Sequence, residues 1–382
     1  MINFLNLFKS PFPLFLLFVS LFLGCQTPSS KTGKSAISNT DVEISPDNSL
    51  LQYSGRIDFS NPQSPLFFWA GTSVKARFEG NSIQVKLKDI SGKNYYNAII
   101  DGDIDNRIVI DCDPGQTVYT VSIEDSVEKE SHTIEIVRRT DPRSPATEFQ
   151  GFVLEPEKKL LELPSDRKMR IEFFGNSITS AHGVLDESRK NNDDLSTWDN
   201  TMSYAAMTAR HLNAEYHCIS MSGIGVVKSW YPLIMPQIYN RLDPNDPESE
   251  WGFSQWTPDI VVVNLFQNDS WLIKNHQPET MITAYIDFIR TLRTHYPDAE
   301  IICALGNMDI TRSGSPWPGY VKTAVSRMNQ LPVADSKVHT LIFPYKNTGG
   351  HPTVSEQKAM ADLLVEFIED LALRHLDTEK RS

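Results

Sequence analysis

Cysteine is scarce in this chain: four among 382 residues, at positions 25, 112, 218 and 303, with no CxxC spacing. That scarcity excludes a disulfide framework and a zinc ribbon, and nothing in the pattern calls for a metal or an organic cofactor. Cys218 in EYHCISM and Cys303 in EIICALG lie in apolar, strand-like runs, where a free thiol behaves as a small buried hydrophobe. Positive charge is also in short supply. With 36 Lys and Arg against 48 Asp and Glu, the net charge is −12, which opposes binding of nucleic acid or of an anionic membrane surface through the body of the protein. A neutral substrate such as a sugar ester is compatible with it. The apolar run at 14–24 is too short for a membrane span and leads into a polar, Ser/Thr-rich stretch. The rest of the composition is that of a globular protein, 40% hydrophobic and 22% charged, and the length favours two domains over one core.

At the N-terminus, Lys9 precedes the apolar run LFLLFVSLFLG and then Cys25, the layout of a secretory signal. LFLGC resembles a bacterial lipoprotein signal, which implies cleavage after residue 24 and acylation of Cys25. Gln26 is not the residue type associated with inner-membrane retention, so the expected address is the outer membrane, with plain secretion as the alternative. A lipid on Cys25 is the expected membrane contact. Residues 25–48, rich in Ser, Thr, Lys, Asn and Asp, read as a flexible tether.

From 49 to 160 the chain shows short alternating or β-branched runs, among them SVKARFEG, SIQVKLKDI, YYNAIIDG, TVYTVSIED and HTIEIVRR. Gly, Asp, Asn and Pro separate them, which predicts an all-β sandwich or jelly roll. From 166 to 382 strand and helix patterns alternate. RIEFFG, AEYHCISMS, DIVVVNLF, AEIICALG and KVHTLIF read as strands. MSYAAMTARHLN, MITAYIDFIRTLRTHY, YVKTAVSRMNQL and TVSEQKAMADLLVEFIEDLALRHL carry apolar residues at helical spacing. That alternation predicts an α/β three-layer domain with a parallel sheet, whose site lies outside the carboxyl ends of the strands.

Two segments carry chemistry. RIEFFGNSITSAHG sets Ser177 directly after a strand, and GGHPT near the C-terminus presents His351. A hydroxyl is a weak nucleophile at neutral pH and needs an imidazole to accept its proton. GNSIT is not the G-x-S-x-G elbow, because Thr179 stands where the second Gly belongs. It resembles the first block of the SGNH (GDSL-like) hydrolases, whose four blocks supply Ser, Gly, Asn and His in that order. Here they are Ser177, Gly223 in ISMSGIG, Asn268 in VVNLFQND, and His351. The resemblance implies an oxyanion hole made by the backbone amides of Ser177 and Gly223 and the side-chain amide of Asn268, with Ser177 and His351 catalytic. Each residue also has a plainer use. Ser177 can cap the following helix, Gly223 can permit a turn while Gly225 donates, Asn268 can fix a loop, and His182 is a second histidine near the serine. Trp271 and Trp230 are expected to flank the acyl pocket or stack on a sugar, and Asp269 to support the loop that presents Asn268.

Three positions depart from the SGNH pattern: Asn176 replaces an Asp, Phe266 a Gly, and Thr348 the Asp three residues before the histidine. Without that acid the site is expected to work as a Ser-His dyad. Together with YSGRIDFSNPQSPLFFWAGTSVKARFEG and YYNAIIDG, the pattern resembles carbohydrate esterase family 2. The signature positions are Gly55, Arg56 and Ile57, Trp69 and Gly71, and Ile100, Asp101 and Gly102. That resemblance spans about 49–375 and implies removal of acetyl groups from plant polysaccharides such as xylan and glucomannan. An SGNH esterase or lipase acting on another small acyl ester is one alternative. A noncatalytic glycan-binding lipoprotein is the other.

Overall fold

The computed structural model describes residues 37–38, 40–123, 129–164, 169–330 and 334–379. The expected leader at 1–24, Cys25 and the first part of the expected tether lie outside the described residues. The tether's last residues differ from expectation. Val42–Ile44 forms strand β1, paired antiparallel with a strand at Thr147–Leu154. A three-residue alternation is too short to stand out from its polar surroundings, so the β unit takes in residues from 42 rather than 49.

In chain order the β unit consists of β1, β2 (Gln52–Ser54), β3 (Ile57–Asp58), β4 (Leu66–Phe67), β5 (Ser73–Glu79), β6 (Ser82–Lys88), β7 (Tyr95–Ile100), β8 (Ile108–Asp111), β9 (Val118–Ser122), β10 (Ser131–Arg138), β11 (Thr147–Leu154) and β12 (Leu160–Leu161). They form two antiparallel sheets, β3-β4-β11-β6-β9 with β1 beside β11, and β12-β5-β10-β7-β8 with β2 beside β5. Period-two burial along β5 and β6 turns Val74, Ala76 and Phe78 from one sheet toward Ile83, Val85 and Leu87 from the other. Phe67, Tyr96, Tyr119, Phe149 and Phe152 fill the space between the sheets, which makes the unit a sandwich.

The second unit has the strands β13 (Met169–Gly175), β14 (Ala214–Ser220), β15 (Ile260–Asn264), β16 (Glu300–Leu305) and β17 (Val338–Ile342). They pair in parallel in the order β14-β13-β15-β16-β17. Its helices are α1 (Ser177–Ser180), α2 (Tyr204–His211), α3 (Met235–Ile238), α4 (Gln267–Leu272), α5 (Pro278–His295), α6 (Trp317–Met328) and α7 (Val354–Glu379). β15 is buried at every residue, as a central parallel strand requires. Val261 and Val263 pack with α5 and α6, while Val262 packs with α2 and α7 on the other face, giving three layers. The chain leaves β13 to build β14 on one side and β15 on the other. Their carboxyl ends therefore open at a topological switch point, where ligands of open α/β sheets bind.

The two units are joined by buried polar contacts. Arg56 pairs with Glu172 of β13 at 2.8 Å, both side chains fully buried. Asn97 donates to Asp199 at 2.8 Å, and Arg139 donates to the carbonyl of Trp198 at 2.8 Å.

Candidate active site

Four loops at the carboxyl edge of the parallel sheet carry the predicted residues: Ser177 follows β13, Gly223 follows β14, Asn268 follows β15, and His351 lies between β17 and α7. Ser177 is the first residue of α1 and is buried. The helix is capped by Asn176, whose Oδ1 accepts from the Ile178 amide at 3.0 Å. The plainer use of Ser177, as the cap, is taken by the residue standing in place of the usual Asp, because a short acceptor just before the helix reaches the second helical amide. The serine hydroxyl takes part in no hydrogen bond among the described residues.

Gly223 has φ +89, a left-handed conformation that favours glycine, and its amide has no acceptor among the described residues. The amide of Gly225, the alternative donor, is already bonded to Ser229 Oγ at 2.9 Å. A Cβ on Gly225 would lie 2.1 Å from the Lys228 carbonyl and 2.6 Å from Asp269 Oδ2, so close approach of the backbone sets that residue type. Asp269 accepts from the amides of Val226, Val227 and Lys228 at 3.0, 2.7 and 2.9 Å. It therefore anchors the loop after Gly223 to α4, the helix that carries Asn268.

Asn268 is held on both sides. Its Nδ2 donates to the Ile224 carbonyl at 2.7 Å, and its Oδ1 accepts from Trp230 Nε1 at 3.1 Å. These partners fix which end of the amide is the donor and leave one N–H without an acceptor among the described residues. Asn268→Ala should lower kcat roughly 100- to 1000-fold with a small change in KM, checked by steady-state hydrolysis of an acetyl ester.

Phe266, where the family pattern has glycine, adopts φ +74 and is fully buried. Its ring stacks on Tyr285 at 4.9 Å and meets Trp317 at 5.1 Å. Phe266→Gly would relieve roughly 1–2 kcal/mol of left-handed strain and lose about 3–5 kcal/mol of packing. We expect a net loss of about 2–3 kcal/mol in urea unfolding.

His351 is half-buried, and its backbone amide donates to Asn192 Oδ1 at 3.4 Å. Thr348 does not reach the imidazole. Its hydroxyl bonds Glu356 at 2.5 Å and Lys346 at 2.6 Å, which ties the loop to the start of α7. Among the described residues none donates to or accepts from the His351 ring nitrogens. The ring lies instead against His182, centroids 4.1 Å apart and planes 14° apart. Burial, with His182, Arg143 and Lys346 nearby and only Asp193 opposing, pushes the His351 pKa down from 6.5 to about 3. It is neutral at pH 7, the form that accepts a proton.

The tryptophans divide. Trp271 is half-buried with its indole N–H committed to Asp309 at 3.0 Å, whereas Trp230 is 63% exposed beside Gly223 and Asn268. Two residues of the β unit escaped sequence reasoning. Asp141 accepts from the Ser222 amide at 2.7 Å, and Arg143 places a guanidinium nitrogen 3.4 Å from His182 Nδ1. The DPR turn that carries them has no motif to mark it.

Residues 53–164 match the family described as Carbohydrate esterase 2 N-terminal. The chain is 32% identical over 338 residues to Cellulase/esterase CelE of Acetivibrio thermocellus, covering 85% of this chain and 40% of that protein's length. It is 24% identical to an Acetylxylan esterase / glucomannan deacetylase of Cellvibrio japonicus, covering 81% of this chain and 87% of that one. The solved structure of a family two carbohydrate esterase from Clostridium thermocellum in complex with cellohexaose superposes with a TM-score of 0.75 at 31% identity, covering 84% of this chain and 99% of that chain. A sandwich joined to a parallel sheet with serine, glycine, asparagine and histidine along one edge, matched across nearly the full length of that structure, places this chain in carbohydrate esterase family 2.

Proposed function

We propose that the protein removes O-acetyl groups from plant cell-wall polysaccharide, acetylated xylan or glucomannan or their oligosaccharides, by a Ser177–His351 dyad. The observation that carries this reading is that Ser177, Gly223 and Asn268 follow the adjacent strands β13, β14 and β15, while His351, arriving from beyond β17 at the sheet's edge, stacks on His182, whose amide donates to the Ser177 carbonyl at 3.0 Å. Ser177 Oγ attacks the acetyl carbon as His351 accepts its proton. Negative charge develops on the carbonyl oxygen, where the Ser177 and Gly223 amides and the Asn268 side chain donate. Collapse of the tetrahedral intermediate breaks the bond to the sugar oxygen, which takes the proton from His351 and leaves. Water then attacks the acetyl-enzyme, giving its proton to His351. Acetate departs as that proton returns to Ser177.

The choice of substrate is supported by the relatives named for acetylxylan and glucomannan and by the relative solved with cellohexaose. Trp230, exposed beside the oxyanion donors, offers a flat apolar face to a pyranose ring. Acetate release from acetylated xylan, acetylated glucomannan and 4-nitrophenyl esters of rising chain length tests the reading. We expect release from the polysaccharides and a steep fall from acetyl to butyryl. Failure on both polysaccharides with turnover of longer acyl esters would transfer the assignment to a general esterase.

The reading also places the protein in the cell envelope, with Cys25 acylated after removal of residues 1–24 and an outer-membrane address. Support comes from Lys9 and the apolar run ending at Cys25. In cells expressing the full chain, Cys25→Ala should move the protein from the detergent phase to the aqueous phase of a Triton X-114 partition. Aqueous partition of the unaltered chain would instead indicate secretion without a lipid.

A further inference from the structure

A dyad without a carboxylate needs something else to hold its imidazole. In a Ser-His-Asp triad the acid fixes the ring's orientation and tautomer and stabilises the imidazolium. Here the ring of His351 has a neighbour of another kind. His182, in the turn that closes α1, stacks on it at 4.1 Å with planes 14° apart. Trp198 lies 4.0 Å from the same His182 ring. Two rings that close cannot share a face, so His182 is sandwiched between Trp198 and His351. The Arg143 guanidinium lies 4.7 Å from the Trp198 centroid and beside the His182 ring rather than beyond Trp198.

The edges of His182 are tied as firmly as its faces. Nδ1 lies 3.4 Å from the Arg143 guanidinium and 3.3 Å from Ser222 Oγ, and Nε2 lies 3.2 Å from Asp193 Oδ1. A guanidinium can only donate, so Nδ1 accepts and the ring's proton sits on Nε2, facing Asp193. Burial and the Arg143 charge push the His182 pKa down from 6.5 to about 3, so the ring stays neutral. The backbone of the same turn holds it one helical step from the nucleophile, since the His182 amide donates to the Ser177 carbonyl at 3.0 Å.

We propose that His182 is the positioning residue of the dyad, its ring face holding the His351 imidazole at the angle from which it meets the Ser177 hydroxyl. The proposal rests on the Ser177–His351 reading above. It differs from a carboxylate's action in one respect: a neutral stacked ring restrains tilt and translation but supplies no charge to the imidazolium. The charged groups around the pair are Arg143 from the β unit, Asp193 from the loop before Trp198, and Lys346 from the loop before α7. All three are unchanged in the variants below.

The test compares His182→Ala, His182→Gln and His182→Phe with wild type and Ser177→Ala, measuring kcat, KM, thermal midpoint and the acid limb of kcat/KM. Phe keeps the flat face without a polar edge, whereas Gln keeps an acceptor without a face. We expect Ala and Gln to lower kcat roughly 10- to 100-fold at nearly unchanged KM, and Phe to restore it to within about threefold. In His182→Ala the acid limb should move up toward the ordinary imidazole range, because His351 loses the covering ring that keeps it dry. A folded His182→Ala or His182→Phe decides the matter even if one variant is unstable. Wild-type kcat in the first, or a defect in the second as deep as that of Gln, overturns the proposal. Activity surviving in Ser177→Ala would instead overturn the dyad reading, whatever His182 does.

Discussion

Purified Ser177→Ala protein is expected to release acetate from acetylated glucomannan at least about 10⁴-fold more slowly than wild type, with an unchanged unfolding midpoint. The size of the effect follows from what the side chain is left to do. Asn176 supplies the cap of α1, and the Ser177 hydroxyl takes part in no hydrogen bond among the described residues, so removing it costs little stability. Every step of turnover nonetheless passes through that oxygen. Because serine and histidine act as a unit, His351→Ala should cost nearly as much, and the double variant no more than either single one. Additive losses would mean that the two residues serve separate purposes. Residual activity above about 1% in the serine variant would remove Ser177 from the reaction.

How much of this was legible in the sequence depended on the range of the interaction. Period-two strands such as SVKARFE and the uninterrupted IVVVN declare themselves because burial of one face or both is a local rule. The four candidate residues stood out in the sequence because each lies after a strand within a recognisable block. The rest depended on contacts between distant segments. Glu172 looks like an interruption of an apolar strand until Arg56, 116 positions earlier, is found against it. Asp141 and Arg143 look like an ordinary charged turn until folding sets Asp141 on the Ser222 amide and Arg143 beside His182, and Trp198 like one more aromatic until it meets the His182 ring. Thr348 read as the loss of an acid, and its hydroxyl bonds Glu356 and Lys346 rather than the imidazole, but the sequence says nothing of which group packs on the His351 ring. A ring stacked face to face leaves no spacing rule in the chain. Phe266 read as a departure from glycine, yet its buried ring packs between Tyr285 and Trp317 just before α4.

The pair Arg56 and Glu172 sets the second large expectation. Arg56→Met should destabilise the protein by about 3–5 kcal/mol at pH 7, read from urea unfolding. The loss comes from the carboxylate left behind more than from the attraction removed. Glu172 is fully buried on β13, accepts from Arg56 at 2.8 and 3.1 Å and from the Tyr296 hydroxyl at 2.6 Å, and has no route to water. Burial alone would raise its pKa, but the Arg56 charge, aided by His217 and Tyr296, holds it below its ordinary 4.5. A carboxyl lowered in this way contributes stability above its unfolded value and loses it as pH falls through the folded one. Wild type should therefore lose this contribution in acid, whereas the variant, having none to lose, protonates Glu172 at higher pH. The gap between the two proteins should narrow as pH drops from neutral toward 4.5, the carboxyl's ordinary value. A gap constant with pH would mean that lost packing of the guanidinium against Trp251 and Phe253, each 5.3 Å away, is the whole effect. Activity should fall with stability, because β13 carries Ser177 at its end. The same docking of the β unit delivers Asp141 to the loop of Gly223 and Arg143 to His182. In this chain the sandwich reaches the candidate site through Asp141 and Arg143, and Arg56 is one of its buried attachments to the parallel sheet.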